Sequence, residues 1–219
     1  IFHFGEFSRI YQSFAKLDEC IDFNSIGSNA VFNFCMKNNI KLIYSATSAT
    51  LGNYGLDKNL SPYAFTKAKN LELLENLKKW FNFKYEIIYF YNVYGKGEIS
   101  NGKYSTLIAK FTNLVMQGEE VLPVVSPGTQ VRNFTHVDDI VDGLILVAES
   151  GQGDGYGIGA DESFSILEVA KMFGKPVQML PERPGNRLKA ELNTQQTKKL
   201  GWRPVHKLRD YIHAQLEAK

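Results

Sequence analysis

The sequence predicts an α/β protein built on a doubly wound parallel sheet, followed by a smaller α/β region. Over the first 95 residues, short apolar strands alternate with segments of helical spacing, which is the pattern of a parallel sheet covered by helices. The chain has 219 residues, of which 44% are hydrophobic and 22% are charged, so it can bury a substantial core.

The first half supplies three strands and two helices. Ile26, Ala30 and Phe34 recur at helical spacing. Ser61 and Pro62 are start signals for a long helix, because serine caps a helix N-terminus and proline suits the first turn. The predicted strands are 1–4, 40–44 and 85–93, and the predicted helices are 18–38 and 62–82.

The alternation loosens after residue 95. We expect a strand at 121–125 and helices at 106–117, 137–149 and 165–173, with one or two more after residue 193. We therefore divide the chain into a sheet domain at 1–95 and a second domain at 96–219. The helix at 137–149 is expected to pack back on the first domain.

The composition excludes several classes of protein. The formal net charge is +2 and charges of both signs are mixed along the chain, so no basic block points to nucleic acid. No apolar run approaches the length of a membrane span. Cys20 and Cys35 match no metal-binding pattern, so we expect free thiols in a reducing, cytoplasmic compartment.

Tyr63 and Lys67 are the strongest candidates for catalysis. They stand four residues apart at a predicted helix start, which places both side chains on one face. An ammonium near a phenol stabilises the phenolate, so such a tyrosine can exchange protons near neutral pH. Tyr54 and Lys58 form a second pair with this spacing in a glycine-rich loop. On spacing alone, the first pair is also compatible with a half-exposed surface pair.

The predicted strand that ends at Tyr44 runs on through small residues into Thr47 and Ser48. Ligands of parallel-sheet proteins bind outside the carboxyl ends of the strands, so these hydroxyls are placed to meet a substrate oxygen. The alternative is that the small residues simply form a tight turn.

Five motifs, in order along the chain, resemble the extended short-chain dehydrogenase/reductase family, whose members include NAD-dependent nucleotide-sugar epimerases and dehydratases (UDP-glucose 4-epimerase-like). The combination is specific because it runs nearly from end to end. The motifs are His3-Phe-Gly-Glu6, Tyr44–Gly52 with Ser61–Lys67, Phe90–Gly95, Gly128–Asp139, and Arg183–Asn186 with Leu200–Pro204.

The resemblance implies a role for each matching residue. Tyr63 would be the general base and acid at a sugar hydroxyl, and Thr47 would share the hydroxyl proton. Lys67 would bind the nicotinamide ribose and stabilise the Tyr63 phenolate. The other residues implied to contact NAD are His3, Gly5 and Ser45.

The resemblance also implies a substrate site, carried mostly by the domain at 96–219. Arginine suits a nucleotide diphosphate because its planar fork meets phosphate oxygens in pairs. The residues implied to bind substrate are Ser48, Asn92, Arg132, Arg183 and Asn186.

No metal ion is expected. Asp138 and Asp139, next to His136, adjoin a predicted helix start, where carboxylates complement the positive end of the helix dipole. The family's glycine-rich turn for the dinucleotide pyrophosphate does not occur in the sequence, and we expect it to precede Ile1.

The resemblance implies NAD-dependent 4-epimerisation of a nucleotide-activated sugar through a 4-keto intermediate. The alternatives are a 4,6-dehydratase or another oxidoreductase of the family, and a nucleotide-sugar-binding protein without turnover. Dehydration needs a second acid, and Glu6 or Asp57 is a candidate to supply it. A homodimer is expected through the helix before Asn38 and the helix at 62–82.

Overall fold

The protein is described here by a computed structural model that covers residues 1–47, 58–90, 92–182 and 193–217. The predicted substrate residues Ser48, Arg183 and Asn186 lie outside the described residues, as does Tyr54 of the second tyrosine–lysine pair.

Strands and helices alternate through the first part of the chain, as the sequence predicts. The strands are β1 (Phe2–His3), β2 (Leu42–Thr47), β3 (Tyr85–Phe90), β4 (Val93–Tyr94), β5 (Leu122–Val125), β6 (Val131–Asn133), β7 (Thr135–His136), β8 (Tyr156–Ile158), β9 (Ser163–Ser165) and β10 (Val177–Leu180). The helices are α1 (Ile10–Ala15), α2 (Leu17–Ile21), α3 (Ser28–Lys37), α4 (Pro62–Phe81), α5 (Leu107–Met116), α6 (Val137–Ser150), α7 (Ile166–Met172), α8 (Gln195–Lys199) and α9 (Leu208–Glu217).

The largest sheet has the strand order β1-β2-β3-β8, and β1, β2 and β3 run parallel. Every residue of β2 is buried, which is typical of a parallel strand covered on both faces. The register pairs His3 with Tyr44, and Thr47 with Phe90. The predicted α/β fold with a parallel sheet is confirmed, and the carboxyl ends of these strands lie at one edge.

Helix α4 begins where the sequence predicts. The Ser61 hydroxyl accepts a hydrogen bond from the Ala64 backbone N–H at 3.1 Å, and Pro62 occupies the first turn. The helix ends at Phe81, and Asn82 follows in the left-handed conformation that commonly closes helices.

The predicted helix at 18–38 is not one continuous α-helix. A π-helical turn, Asp22–Gly27, separates α2 from α3. The carbonyl of Asn24, inside this turn, accepts a hydrogen bond from Asn70 at 2.5 Å, and the Asn24 side chain bonds the Phe7 backbone N–H at 2.6 Å. We attribute the π turn to these tertiary bonds, because they draw the Asn24 backbone and side chain toward α4 and the chain after β1.

The chain divides into two compact units. As far as its residues are described, unit 1 comprises 1–90, 143–157 and 190–202, and unit 2 comprises 91–142, 158–189 and 203–219. Their assignment as cofactor and substrate domains stays a prediction. No helix in the described part of the chain is both long and apolar enough to cross a membrane.

Unit 2 has an apolar core of its own. Its described residues include three pairs of short strands: β5 with β10 and β4 with β7, both parallel, and β6 with β9, antiparallel. The buried residues of its core are Tyr94, Ile108, Phe111, Val115, Leu122, Val124, Phe134, Val169, Ala170, Phe173, Leu208 and Ile212.

Candidate active site

Six of the predicted site residues that the structure describes belong to unit 1, at or near the carboxyl ends of β1 and β2 or on the first turns of α4. His3 ends β1, and the Ser45 hydroxyl on β2 donates a hydrogen bond to the His3 carbonyl at 3.0 Å. Thr47 is the last residue of β2 and is buried. The others are Gly5, Tyr63 and Lys67.

Tyr63 and Lys67 are both buried, with 9% and 4% of their surfaces exposed. The interpretation of this pair as a half-exposed surface feature is therefore wrong. Two hydroxyls hold the helix backbone around Tyr63: its backbone N–H donates to the Ser13 hydroxyl at 3.3 Å, and its carbonyl accepts from the Thr66 hydroxyl at 3.1 Å. Thr66 in turn accepts a hydrogen bond from the Asn24 side chain at 3.1 Å.

The ammonium of Lys67 forms an ion pair with the carboxylate of Glu6. It also donates a hydrogen bond to the Ser45 carbonyl at 2.6 Å and lies 4.8 Å from the centroid of the Tyr44 ring. An ammonium has three N–H donors, so within the described residues two of the three are used. Lys67 is thus fixed between the segment after β1 and the end of β2.

The sequence analysis considered Glu6 only as a possible second acid and did not reveal its pairing with Lys67. Its side chain is 3% exposed. One carboxylate oxygen pairs with Lys67, and the other accepts hydrogen bonds from the Ser28 hydroxyl at 2.7 Å, the Tyr44 hydroxyl at 2.9 Å and the Asn70 amide at 3.1 Å. The sequence contained one indication of this pairing, a glutamate next to an apolar strand end. A charge buried at such a place is rare unless it is paired, so a cationic partner could have been expected.

Burial changes the protonation behaviour of three groups here. It lowers the pKa of His3, and it lowers the pKa of the Lys67 ammonium, an effect that the Glu6 carboxylate opposes. It raises the pKa of Tyr44 well above the usual value, and the nearby Glu6 charge adds to that rise. His3 and Tyr44 are therefore neutral near pH 7.

Two predicted substrate residues, Asn92 and Arg132, belong to unit 2. Asn92 has a positive φ of 30°, and its side-chain amide donates to the Asn133 carbonyl at 3.2 Å. Arg132 lies on β6, and its guanidinium donates to the Val131 carbonyl at 2.8 Å. The side-chain amide of Asn133 donates to the Ala160 carbonyl at 2.9 Å, which fixes this segment locally. Substrate binding by Asn92 and Arg132 stays a prediction.

His136, Asp138 and His206 bring possible metal ligands within 4.8 Å of one another. The rings of His136 and His206 are stacked, with centroids 4.2 Å apart and planes inclined by 23°. Ring-nitrogen lone pairs lie in the ring planes, so nearly parallel rings do not direct them to one point. The adjacent Asp139 bonds the His206 ring at 2.8 Å. Hydrogen bonding and stacking account for the cluster.

Fold and site together define an α/β protein that carries a buried tyrosine–lysine pair beside the carboxyl ends of parallel strands. The chain belongs to the NAD dependent epimerase/dehydratase family, whose family model matches residues 1–159.

The chain resembles several members of this class. It is 28% identical over 154 residues to GDP-mannose 3,5-epimerase 1 of Oryza sativa, covering 68% of this chain and 41% of that protein. It is 25% identical over 231 residues to dTDP-D-glucose 4,6-dehydratase of Bos taurus, covering 93% and 62%. The structure of a Thermotoga maritima UDP-glucose 4-epimerase superposes with a TM-score of 0.90 at 25% identity, covering 99% of this chain and 75% of that one.

Proposed function

We propose that the complete protein is an enzyme that epimerises a nucleotide-activated sugar at C4, through a 4-keto intermediate, with NAD as cofactor. The observation that carries the proposal is the buried tyrosine–lysine pair on the first turns of α4, in a chain of the NAD-dependent epimerase/dehydratase family. The resemblance to a UDP-glucose 4-epimerase structure supports the choice of epimerisation.

The residues at the strand ends fit a dinucleotide. His3, Ser45 and Thr47 lie at or near the carboxyl ends of β1 and β2, which is where open parallel sheets bind such ligands. A side chain added at Gly5 would meet nothing within 4 Å, so the backbone after β1 is open to approach. When bound, NAD would accept hydride from C4 of the sugar and return it to the opposite face.

Tyr63 carries the proton chemistry in this proposal. Its phenolate oxygen takes the proton of the 4-hydroxyl as the carbonyl forms, and it gives that proton back when the carbonyl is reduced. The Lys67 ammonium, one helical turn further along α4, stabilises the phenolate. Thr47 contributes a hydroxyl at the end of β2 and shares the proton.

The assignment of substrate-binding residues rests on the family resemblance. Ser48, Asn92, Arg132, Arg183 and Asn186 hold the sugar and its nucleotide diphosphate.

The main alternative is a 4,6-dehydratase, and the similarity to dTDP-D-glucose 4,6-dehydratase supports it. Dehydration needs a carboxylic acid besides Tyr63, yet Thr47 is followed by Ser48 and Ala49. Glu6 is unsuited to this part because its carboxylate is paired with Lys67 and accepts three further hydrogen bonds. Asp57, the other candidate, lies outside the described residues. The second alternative, binding without turnover, is disfavoured by the buried pair of Tyr63 and Lys67.

The protein is further proposed to be a cytoplasmic homodimer. Phe23, Ile26 and Phe34 are each more than half exposed on the π turn and on α3, and a large exposed apolar surface favours a partner. Cys20 and Cys35 are free and buried, which suits a reducing compartment. Light scattering of the full-length protein at micromolar concentration tests the dimer, and a monomer there contradicts it.

The reaction is tested by incubating the full-length protein with UDP-, GDP- and dTDP-hexoses and following the products by NMR. Inversion at C4 with C6 unchanged is the expected result. A 6-deoxy-4-keto product identifies a dehydratase instead, and binding of a nucleotide sugar without any product identifies a binding protein.

A further inference from the structure

We propose that Glu6 is a positioning residue that keeps the Lys67 ammonium charged and fixed one helical turn from Tyr63. The inference deepens the proposed function: its effect on turnover rests on that function, whereas its effect on the charge of Lys67 does not.

The first step is the cost of burying an ammonium. Lys67 is 4% exposed, and a charge held out of water is unfavourable unless it is paired and hydrogen-bonded. The Ser45 carbonyl and the Tyr44 ring offer only partial negative charge. The Glu6 carboxylate supplies a full one at hydrogen-bonding contact.

The second step is that Glu6 is itself held in place. Its donors come from separate elements: Ser28 begins α3, Tyr44 lies on β2 and Asn70 lies on α4. Asn70 also donates to the Tyr44 hydroxyl at 3.0 Å, so the donors are linked to one another. These three bonds hold one oxygen of the carboxylate and leave the other directed at Lys67.

The third step concerns the other titratable groups that face Lys67. Among the described residues these are His3 at the end of β1, Tyr44 on β2, and Tyr63 one turn earlier on α4. Because a carboxylate only accepts, the Ser28 hydroxyl donates to Glu6, and the His3 ring therefore donates its Nε2–H to Ser28 across 2.9 Å. Burial keeps His3 uncharged by lowering its pKa and keeps Tyr44 uncharged by raising its pKa. Within the described surroundings, Glu6 is the anion that balances Lys67.

The consequence for the proposed reaction follows directly. A Lys67 that loses its proton no longer stabilises the Tyr63 phenolate electrostatically. Without Glu6, burial would act on Lys67 unopposed, and the lysine would become neutral at a lower pH. The enzyme would then lose activity on the alkaline side of its pH profile while its folded structure persisted.

The test compares three variants of the full-length protein: Glu6→Gln, which removes the charge, Glu6→Asp, which keeps it, and Glu86→Gln. Glu86 is the control because it is also a buried glutamate of unit 1, but it pairs with Lys41 instead. The titration of Lys67 is followed by NMR on protein labelled with ¹³C and ¹⁵N at lysine, with the signal assigned by its loss in Lys67→Met.

The expected result is that Lys67 titrates at a lower pH in Glu6→Gln, at the native pH in Glu86→Gln, and close to the native pH in Glu6→Asp. The alkaline limb of the turnover–pH profile should move in the same direction and order, so that on this limb Glu6→Gln retains about a tenth or less of native turnover. An unchanged Lys67 titration in folded Glu6→Gln overturns the proposal, and so does a failure of Glu6→Asp to restore it.

The test also gives a result for the role of Glu6 if the proposed reaction fails or if the variant does not fold. If no nucleotide sugar is turned over, the proposed reaction fails, but the Lys67 titration still decides the role of Glu6. If Glu6→Gln does not fold, the native protein decides it: a slowly exchanging Lys67 ammonium signal with nuclear Overhauser contacts to the Glu6 side chain is expected. Absence of those contacts in native protein overturns the inference.

Discussion

The two compact units each bury a carboxylate, but they use it differently. In unit 1, the donors to the Glu6 carboxylate in the described part of the chain are all side chains, and one of them is the Lys67 ammonium. In unit 2, Asp139 on α6 receives the backbone N–H groups of Val205 and His206, at 3.2 and 3.1 Å, and the His206 ring at 2.8 Å. One carboxylate holds a cation, and the other holds a segment of main chain.

Because of this difference, we expect the Glu6 carboxylate to affect the reaction and the Asp139 carboxylate to affect the stability of the fold. A carboxylate that fixes a side-chain ammonium sets the position and charge of a group that can act on a substrate. A carboxylate that satisfies backbone N–H groups replaces bonds that those groups would otherwise make to water, and so it contributes to the free energy of folding. Substitutions at Tyr63 and Glu6 should therefore affect turnover most, and substitutions at Asp139 should affect unfolding most.

The largest effect is expected for Tyr63→Phe in the full-length enzyme. Removing the phenolic oxygen should lower turnover by roughly several hundred-fold or more, because a positioned acid/base contributes about 10²–10⁴-fold. The unfolding transition should change little. Turnover under saturating substrate, with circular dichroism to check folding, measures both.

Tyr54→Phe is the matched control, because Tyr54 and Lys58 repeat the same spacing. Near-native turnover of Tyr63→Phe together with an inactive Tyr54→Phe would mean that the catalytic pair is the other one.

The second effect is on the stability of unit 2. Asp139→Asn removes the charge that binds two backbone N–H groups and His206, and the side chain is 1% exposed. The free energy of unfolding should fall by about 3 kcal/mol, since hydrogen bonds to buried charges contribute about 1.5–3 kcal/mol each. Urea denaturation measures it.

Asp138→Asn provides the comparison, because the neighbouring Asp138 side chain is largely exposed. Its substitution should change the free energy of unfolding by less than about 0.5 kcal/mol. If both variants lose the same free energy of unfolding, the buried Asp139 carboxylate contributes no more to stability than the exposed Asp138 carboxylate.

The third effect is on stability and concerns the buried hydroxyl of Tyr44, which has hydrogen-bond partners. Tyr44 in unit 1 donates to Glu6 and accepts from Asn70, so Tyr44→Phe should destabilise the protein by about 1–3 kcal/mol. It should also impair the fixing of Lys67. Urea denaturation and the Lys67 titration should both respond, and a change in neither would show that the hydroxyl adds nothing to the site.

The smallest effect is expected at Tyr94 in unit 2. Its hydroxyl is buried among aromatic rings and, within the described residues, has no hydrogen-bond partner. Burying an unsatisfied hydroxyl is unfavourable, so Tyr94→Phe should leave the free energy of unfolding unchanged or raise it by up to about 1 kcal/mol. A clear loss of stability would reveal a partner for this hydroxyl, such as an ordered water.

Much of the fold was predicted from sequence features that involve only neighbouring residues. Ser61 and Pro62 start α4 where predicted because capping involves only neighbouring residues. The spacing of Tyr63 and Lys67 also predicted that they share one helix face, because residues four apart in a helix lie on the same side. The π turn at Asp22–Gly27 was not predicted, since its cause is a set of bonds to residues distant in sequence.

The sequence by itself determined the alternation of strands and helices, the family and the candidate acid/base pair, because each depends on periodicity, capping or ordered motifs along the chain. Only the tertiary structure decided which charge meets Lys67. Glu6 and Lys67 are 61 positions apart, and their pairing depends on the parallel register that brings β1, β2 and α4 together. Charge pairing in a core is set by distance in space, and no periodicity of the sequence encodes that distance.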